Sequence, residues 1–399
     1  MNVKIKPTTL SGAIEAVSSK SDGHRKIIAS ALSDKPTEIL INNFSDDIDA
    51  TLDCIKNLGG NFEKTKDGVM VFPISKKVEY TELNFRESGS TARFLLPISV
   101  ALCPKCHFTG SGSLPQSPLL ELTNQLRLHG VVASGDFLPL DTSGILQGGE
   151  YSIRGDISSQ YLTGLLFALP LLSGENKIVL TSELASAPYV DMTIDTLSLF
   201  GIDIKVSGNE YKIENRKYIS PERLSAEGDW SSAAFWIVAD KISGNISVSG
   251  MNYKSHQGDM RILDILDETD IDASQIPDLV PILAVLAASR CGKTVIRGAK
   301  RLKLKESDRL LAMTECINNL GGNAVKTDDG MEIMGTGKLS GGCVDGFGDH
   351  RIVMSAAIAS CICENDVEII GAEAVKKSYP TFFEDFKRLG GVFSVSDGK

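Results

Sequence analysis

A chain of 399 residues with 42% apolar content can bury two ordinary hydrophobic cores, so two or more domains are expected. Its net charge of −10 excludes a general binder of nucleic acid or of acidic membrane surfaces, although an acidic protein can still hold a small anion where its cations converge. No apolar run approaches the roughly 20 residues of a membrane span, and Met1-Asn2-Val3-Lys4-Ile5-Lys6 lacks the apolar core of a signal peptide. The eight cysteines are scattered, and Cys103-Pro104-Lys105-Cys106 has no matching second pair, so neither a disulfide framework nor a metal site is expected. A reduced, cytoplasmic setting follows.

In chain order, Ser18-Ser19-Lys20-Ser21-Asp22-Gly23-His24-Arg25 leads into a predicted helix. Small hydroxyl residues and a lysine before a helix start suit a phosphate, without the glycines of a P-loop. A second helix is predicted over 49–58, closed by Gly59-Gly60 and followed by a short alternating strand. Glu87-Ser88-Gly89-Ser90-Thr91-Ala92-Arg93 is another small-residue turn, opening an apolar helix with Arg93 on its first turn. The helix, glycine and strand pattern returns at 119–128 with Gly130, and at 192–200 with Gly201. Between these, Ser158-Ser159-Gln160-Tyr161 opens a third hydroxyl-rich helix, and Gly228-Asp229-Trp230-Ser231-Ser232 opens a fourth. Each alone is an ordinary helix cap.

Residues 262–266 followed by Ile271-Asp272-Ala273 read as a degenerate copy of the recurring unit, lacking its glycine. Ile276-Pro277-Asp278-Leu279-Val280-Pro281 sets one carboxylate among apolar residues. That carboxylate is either a helix cap or a group of raised pKa able to move protons. In Lys303-Leu304-Lys305-Glu306-Ser307-Asp308-Arg309 three cations crowd the start of a helix predicted over 307–320. They repel one another at the positive end of its dipole unless an anion sits there, or unless Glu306 and Asp308 act as counterions. Gly321-Gly322 closes that helix, Asp349-His350-Arg351 opens the next, and Lys376-Lys377 stands before a last helix over 381–389 with Gly390-Gly391. The helix-closing glycines recur about every 70 residues, with one double gap, which predicts six units of paired helices and strands.

Taken in order, these motifs resemble the 5-enolpyruvylshikimate-3-phosphate synthases, over nearly the whole chain. The matching segments are Ser19-Lys20-Ser21 with Arg25, Glu87 to Arg93, Ser158 to Thr163, Ser186 with Pro188-Tyr189, and Gly228-Asp229 with Ser231-Ser232. Ile276-Pro277-Asp278, Lys305 to Arg309, Asp349-His350-Arg351 and Lys377-Ser378-Tyr379-Pro380 complete the set. The resemblance implies an α/β (α+β) fold, a two-domain inside-out α/β barrel with three βαβαββ repeats per domain around buried parallel helices. The domains would be 1–20 with 228–399, and 21–227, with the active site in the cleft between them. It also implies transfer of the enolpyruvyl group of phosphoenolpyruvate to the 5-hydroxyl of shikimate 3-phosphate, by a monomer needing no metal or cofactor.

Carried over by position, the resemblance implies that Ser21, Arg25, Ser158, Ser159, Gln160, Ser186, Asp278 and Lys305 hold shikimate 3-phosphate. Lys20, Gly89, Gln160, Arg309, Arg351 and Lys377 would hold phosphoenolpyruvate, with Lys20, Asp278 and Glu306 catalytic. Asp278 would take the 5-hydroxyl proton and Glu306 would exchange the proton at C3. There is one departure: where the family carries an arginine before the proline of the loop Gly110 to Pro118, this chain has Ser117. Either Lys105, Arg127 or another cation substitutes, or affinity for phosphoenolpyruvate is poor, or the chain has drifted from the activity. The alternatives are a UDP-N-acetylglucosamine enolpyruvyl transferase, whose loop carries a reactive cysteine absent here, and a non-catalytic binder of a phosphorylated ligand.

Overall fold

Helices that are apolar on every side must be covered on every side. Val280–Ala288 is buried at all its positions, and Gly89–Leu102 and Ser159–Ala168 are buried at all but a few. A crossover helix of this kind is also what joining two parallel strands requires. The structure, a computed structural model, describes residues 1–396. It is an α/β fold of repeated units, and its packing divides the chain into residues 20–226 and a discontinuous unit of residues 1–19 with those from 227 onward.

Each unit holds three sheets. In the contiguous unit, Arg223–Ser225 runs parallel to Thr37–Leu40, which is antiparallel to Gly68–Phe72, itself antiparallel to Asn61–Lys64. The same order recurs in Thr81–Asn84, Lys105–Thr109, Leu140–Ser143 and Val132–Ala133. It recurs again in Glu150–Ile153, Glu175–Leu180, Glu210–Glu214 and Ile204–Ser207.

The discontinuous unit repeats it in Asp270–Asp272, Cys291–Arg297, Met331–Thr336 and Ala324–Lys326. Its second sheet takes strands from both ends of the chain. Gly342–Asp345 is parallel to Val367–Ile370, and Asn2–Ile5 lies antiparallel between Val367–Ile370 and Phe393–Ser396. The third sheet is only the parallel pair Gly12–Glu15 and Ile246–Ser249.

That short sheet is the degenerate copy, and it differs from expectation. The helix predicted over 262–266 is the single turn Ile262–Ile265, and Asp270–Asp272 is the first strand of the following sheet. Among the described residues this sheet has no antiparallel hairpin, so more than the glycine of the unit is gone. Elsewhere the glycines behave as the pattern requires: those closing the second helices all have positive φ, from 77° at Gly201 to 100° at Gly390. A Cβ at Gly59 would also lie 2.5 Å from the Lys76 carbonyl oxygen. The buried helices approach closely as well, since a Cβ at Gly164 would sit 2.2 Å from the Arg93 carbonyl oxygen. This contact seats the Gly89–Leu102 helix, and Arg93 with it, against Ser159–Ala168.

Candidate active site

In the discontinuous unit the chemistry gathers around one guanidinium. The helix Arg309–Asn319 is capped by Asp308, whose carboxylate accepts from the Leu311 N–H. Arg309 on its first turn is 1% exposed. Its Nε donates to Asp349 at 2.7 Å, Nη1 to Asp278 at 2.7 Å and Nη2 to Glu306 at 2.6 Å. Of the cations expected at this helix start, Lys305 and Arg309 do meet, at Asp278, and the chain itself supplies the counterions. Lys303 turns away to the Asp328 carbonyl, and Arg309 is neutralised by three carboxylates instead of waiting for a ligand anion.

Asp278 sits on the turn Pro277–Leu279, and its carboxylate meets cations that its apolar sequence neighbours do not announce. Arg309 is joined by Arg351 Nη2 at 3.3 Å and Lys305 Nζ at 3.6 Å. Arg351 also donates from Nη1 to the Asp278 carbonyl at 3.1 Å. Burial opposes ionisation of Glu306, but Arg309, His350, Lys377 and Lys305 outweigh it and hold the carboxyl well below its ordinary value. Asp278, Lys305, Glu306, Arg309, Arg351 and Lys377 are thus brought together from separate segments of one unit.

Two residues of this cluster went unpredicted. Asp349 is fully buried, caps the His350–Ala359 helix through the Arg351 N–H at 2.9 Å and accepts from Ser307 at 3.1 Å. Asp259 is also buried and takes a hydrogen bond from the Ser231 hydroxyl. Burial first, then the charge of Asp278, pushes it up to about 7. Nothing in the local sequence around Gly258-Asp259 marks it out.

In the contiguous unit, Lys20 opens the helix Lys20–Leu32 and pairs with Asp47 at 2.8 Å. One turn on, Arg25 is buried, but none of its hydrogen-bonding partners is a carboxylate. Nη1 donates to the Ser21 carbonyl at 2.6 Å, Nη2 to the Tyr189 carbonyl at 2.7 Å and Nε to Thr193 at 2.9 Å. Its guanidinium lies 5.2 Å from the Phe94 ring centroid. Burial lowers it to about 10, so it stays charged at neutral pH. Ser186 precedes the Ala187–Leu199 helix in a left-handed conformation (φ 56°), which is strained for a residue with a side chain. Tyr189 and Thr193 of that helix hold Arg25, which draws Ser21, Arg25 and the Ser186 turn into one neighbourhood.

Ser158 caps Ser159–Ala168 by accepting from the Gln160 N–H at 3.3 Å. The Gln160 amide donates to Ser90 at 3.0 Å and accepts from Arg93 Nη1 at 3.1 Å. A Cβ at Gly89 would fall 2.5 Å from Arg93 Nη1. Neither cation expected to replace the loop arginine does so. Arg127 is tied to Asp136 and the Gly135 carbonyl, each at 2.8 Å. Lys105 begins its strand, at the opposite end from the loop after Thr109. The side chain that reaches Ser117 is Arg93, whose Nη2 donates to its hydroxyl at 2.7 Å.

The comparisons with known proteins are extensive. The family model for EPSP synthase (3-phosphoshikimate 1-carboxyvinyltransferase) matches residues 5–273 and 266–386. The 3-phosphoshikimate 1-carboxyvinyltransferase of Clostridium kluyveri is 40% identical over 415 residues, covering 98% of this chain and 97% of its own. That of Clostridium acetobutylicum is 42% identical over 416 residues with the same coverage. The EPSP synthase structure from Acinetobacter baumannii superposes with a TM-score of 0.84 at 25% identity, over 99% of this chain and 100% of that one.

Proposed function

The chain belongs to the EPSP synthase family, and from that premise we propose that it transfers the enolpyruvyl group of phosphoenolpyruvate to the 5-hydroxyl of shikimate 3-phosphate. Inorganic phosphate is released, and the product leads toward chorismate and the aromatic amino acids. The observation that carries this reading is the convergence of Lys305, Arg309 and Arg351 on Asp278, with Glu306 held by the same buried Arg309. Two carboxylates held by fixed cations suit a reaction that moves two protons and develops charge on oxygen.

Shikimate 3-phosphate is held by Ser21, Arg25, Ser158, Ser159, Gln160, Ser186, Asp278 and Lys305. Arg25 supports this role because its hydrogen bonds go to carbonyls and a hydroxyl, with Asp22 acting on it through its charge but not hydrogen-bonded to it. Phosphoenolpyruvate is held by Lys20, Gly89, Gln160, Arg309, Arg351 and Lys377. The proposed domains are 1–20 with 228–399, and 21–227, and each supplies part of the residue set. No helix among the described residues is long and apolar enough to cross a membrane, and both substrates are small free anions. We take the working form to be a cytoplasmic monomer, a reading in which no second copy is needed to supply any of these residues.

The reaction is addition followed by elimination. Glu306 is ionised in the free protein, and an arriving dianion raises its proton affinity, so it gains the proton that C3 then receives. Asp278 takes the 5-hydroxyl proton as the oxygen attacks C2, and Lys20 stabilises the tetrahedral intermediate. The phosphate then leaves, taking the proton held by Asp278, and the C3 proton returns to Glu306, which completes the transfer and restores both carboxylates. Arg309 orients both carboxylates, so its own share in phosphoenolpyruvate binding requires one of its carboxylate forks to open.

The test is phosphate release from the purified protein with both substrates, with each alone, and with UDP-N-acetylglucosamine in place of shikimate 3-phosphate. Release is expected only with the shikimate pair. Release with UDP-N-acetylglucosamine, or none with any pair despite ligand binding, would sink the reading in favour of its two rivals.

A further inference from the structure

Among the cations of the contiguous unit, Arg93 is the one that shares its guanidinium with the loop carrying Ser117. Its Nη1 donates to the Gln160 amide oxygen at 3.1 Å and to the Gly89 carbonyl at 3.3 Å, and its Nη2 to Ser117 at 2.7 Å. No carboxylate pairs with it among the described residues, and its buried Nε has no hydrogen-bond partner. The guanidinium lies 5.8 Å from the Tyr161 ring centroid, and the Tyr161 hydroxyl donates to the Pro118 carbonyl at 2.6 Å, so one residue fixes both the cation and the loop beneath it. Arg93, Ser117, Gln160, Ser90 and Gly89 are all only partly buried, which leaves the cluster open to a small ligand.

A guanidinium that is half desolvated, held in place and paired only with neutral groups is a receptor for an oxyanion. We propose that Arg93 binds phosphoenolpyruvate directly, supplying from the helix Gly89–Leu102 the charge that the 110–118 loop lacks. The Ser117 hydroxyl is small enough to let the fork reach past it and yields its hydrogen bond to the ligand. This inference rests on the enolpyruvyl transfer reading, and it makes Arg93 a substrate-binding residue.

The test is steady-state phosphate release from wild type, Arg93→Gln, Ser117→Arg and the double variant, varying each substrate in turn. Arg93→Gln is expected to raise the KM for phosphoenolpyruvate roughly 10- to 100-fold, the span of one lost charge-assisted contact, with the KM for shikimate 3-phosphate within about threefold. In the double variant the new arginine is expected to recover at least about tenfold of that loss. Such recovery separates a missing charge from a disturbed Gln160, because Ser117→Arg restores the first and not the second.

Should Arg93→Gln fail to fold, Arg93→Lys keeps charge and stem but not the fork, and an intermediate rise is expected. A phosphoenolpyruvate KM unchanged in a folded Arg93 variant, or both KM values rising together without recovery at 117, would overturn the proposal while leaving the activity standing. A wild type that releases no phosphate would remove both.

Discussion

Asp349 offers the sharpest test of how the discontinuous unit is held together. Replacing it with alanine removes the acceptor of Arg309 Nε, the cap of the His350–Ala359 helix and the partner of Ser307 at once. Arg309 keeps Asp278 and Glu306, but its Nε and a helix amide are left buried without acceptors. Breaking a buried ion pair costs about 3–5 kcal/mol, in which a lost cap of about 1 kcal/mol is included. Asparagine is a good cap and keeps one acceptor, so Asp349→Asn loses mainly the charge, about 1.5–3 kcal/mol.

For a unit of this size each kcal/mol moves the melting temperature about 2–4 °C, so falls of roughly 6–20 °C for alanine and 3–12 °C for asparagine are expected. The protein's two tryptophans, Trp230 and Trp236, are both buried in the discontinuous unit, so their fluorescence during heating reports that unit alone. An alanine variant melting within about 2 °C of wild type would refute the reasoning, since Asp349 would then carry little of the cluster's weight. An asparagine variant less stable than the alanine one would refute it equally.

Asp259 binds its proton up to about pH 7 in the folded protein, against an ordinary 3.8. The native state therefore holds more protons than the unfolded chain between those values, and wild-type stability falls as pH rises through that window. The unfolding free energy of Asp259→Asn relative to wild type, from denaturant titration, should accordingly be higher at pH 8 than at pH 4, by an amount on the order of a few kcal/mol; a pH-independent difference would count against this. Arg25→Met should weaken shikimate 3-phosphate binding roughly 10- to 100-fold by calorimetric titration and leave phosphoenolpyruvate within about threefold. Equal weakening of both ligands would remove Arg25 from its assigned partner. If shikimate 3-phosphate draws two domains together, scattering profiles with and without it should differ, and identical profiles would argue against closure.

How much of this was readable beforehand depends on whether the cause was local. Gly59, Gly130, Gly201, Gly321 and Gly390 announced helix ends because a left-handed residue is a local requirement, and the repeat followed from them. Asp278 misled because its sequence neighbours are apolar, whereas its spatial neighbours Arg309 and Arg351 lie 31 and 73 positions away. Asp349 was legible as the opening of its own helix, but its hold on Arg309 and Ser307, like the burial of Asp259, comes from distant segments, which no spacing encodes. The gap at Ser117 was visible, but its answer was not: Arg93 stands 24 positions earlier, on a helix whose first turn looked like an ordinary capped start.

The strand Asn2–Ile5, wedged between Val367–Ile370 and Phe393–Ser396, has a consequence for how the chain is made. On the ribosome, residues 20–226 emerge as one stretch and can finish all three of their sheets while the remainder is still being translated. Val3 and Ile5, both destined for complete burial, precede that stretch and must wait for two strands that follow it. Their strand is an early arrival without a seat until residues 367–396 have been made.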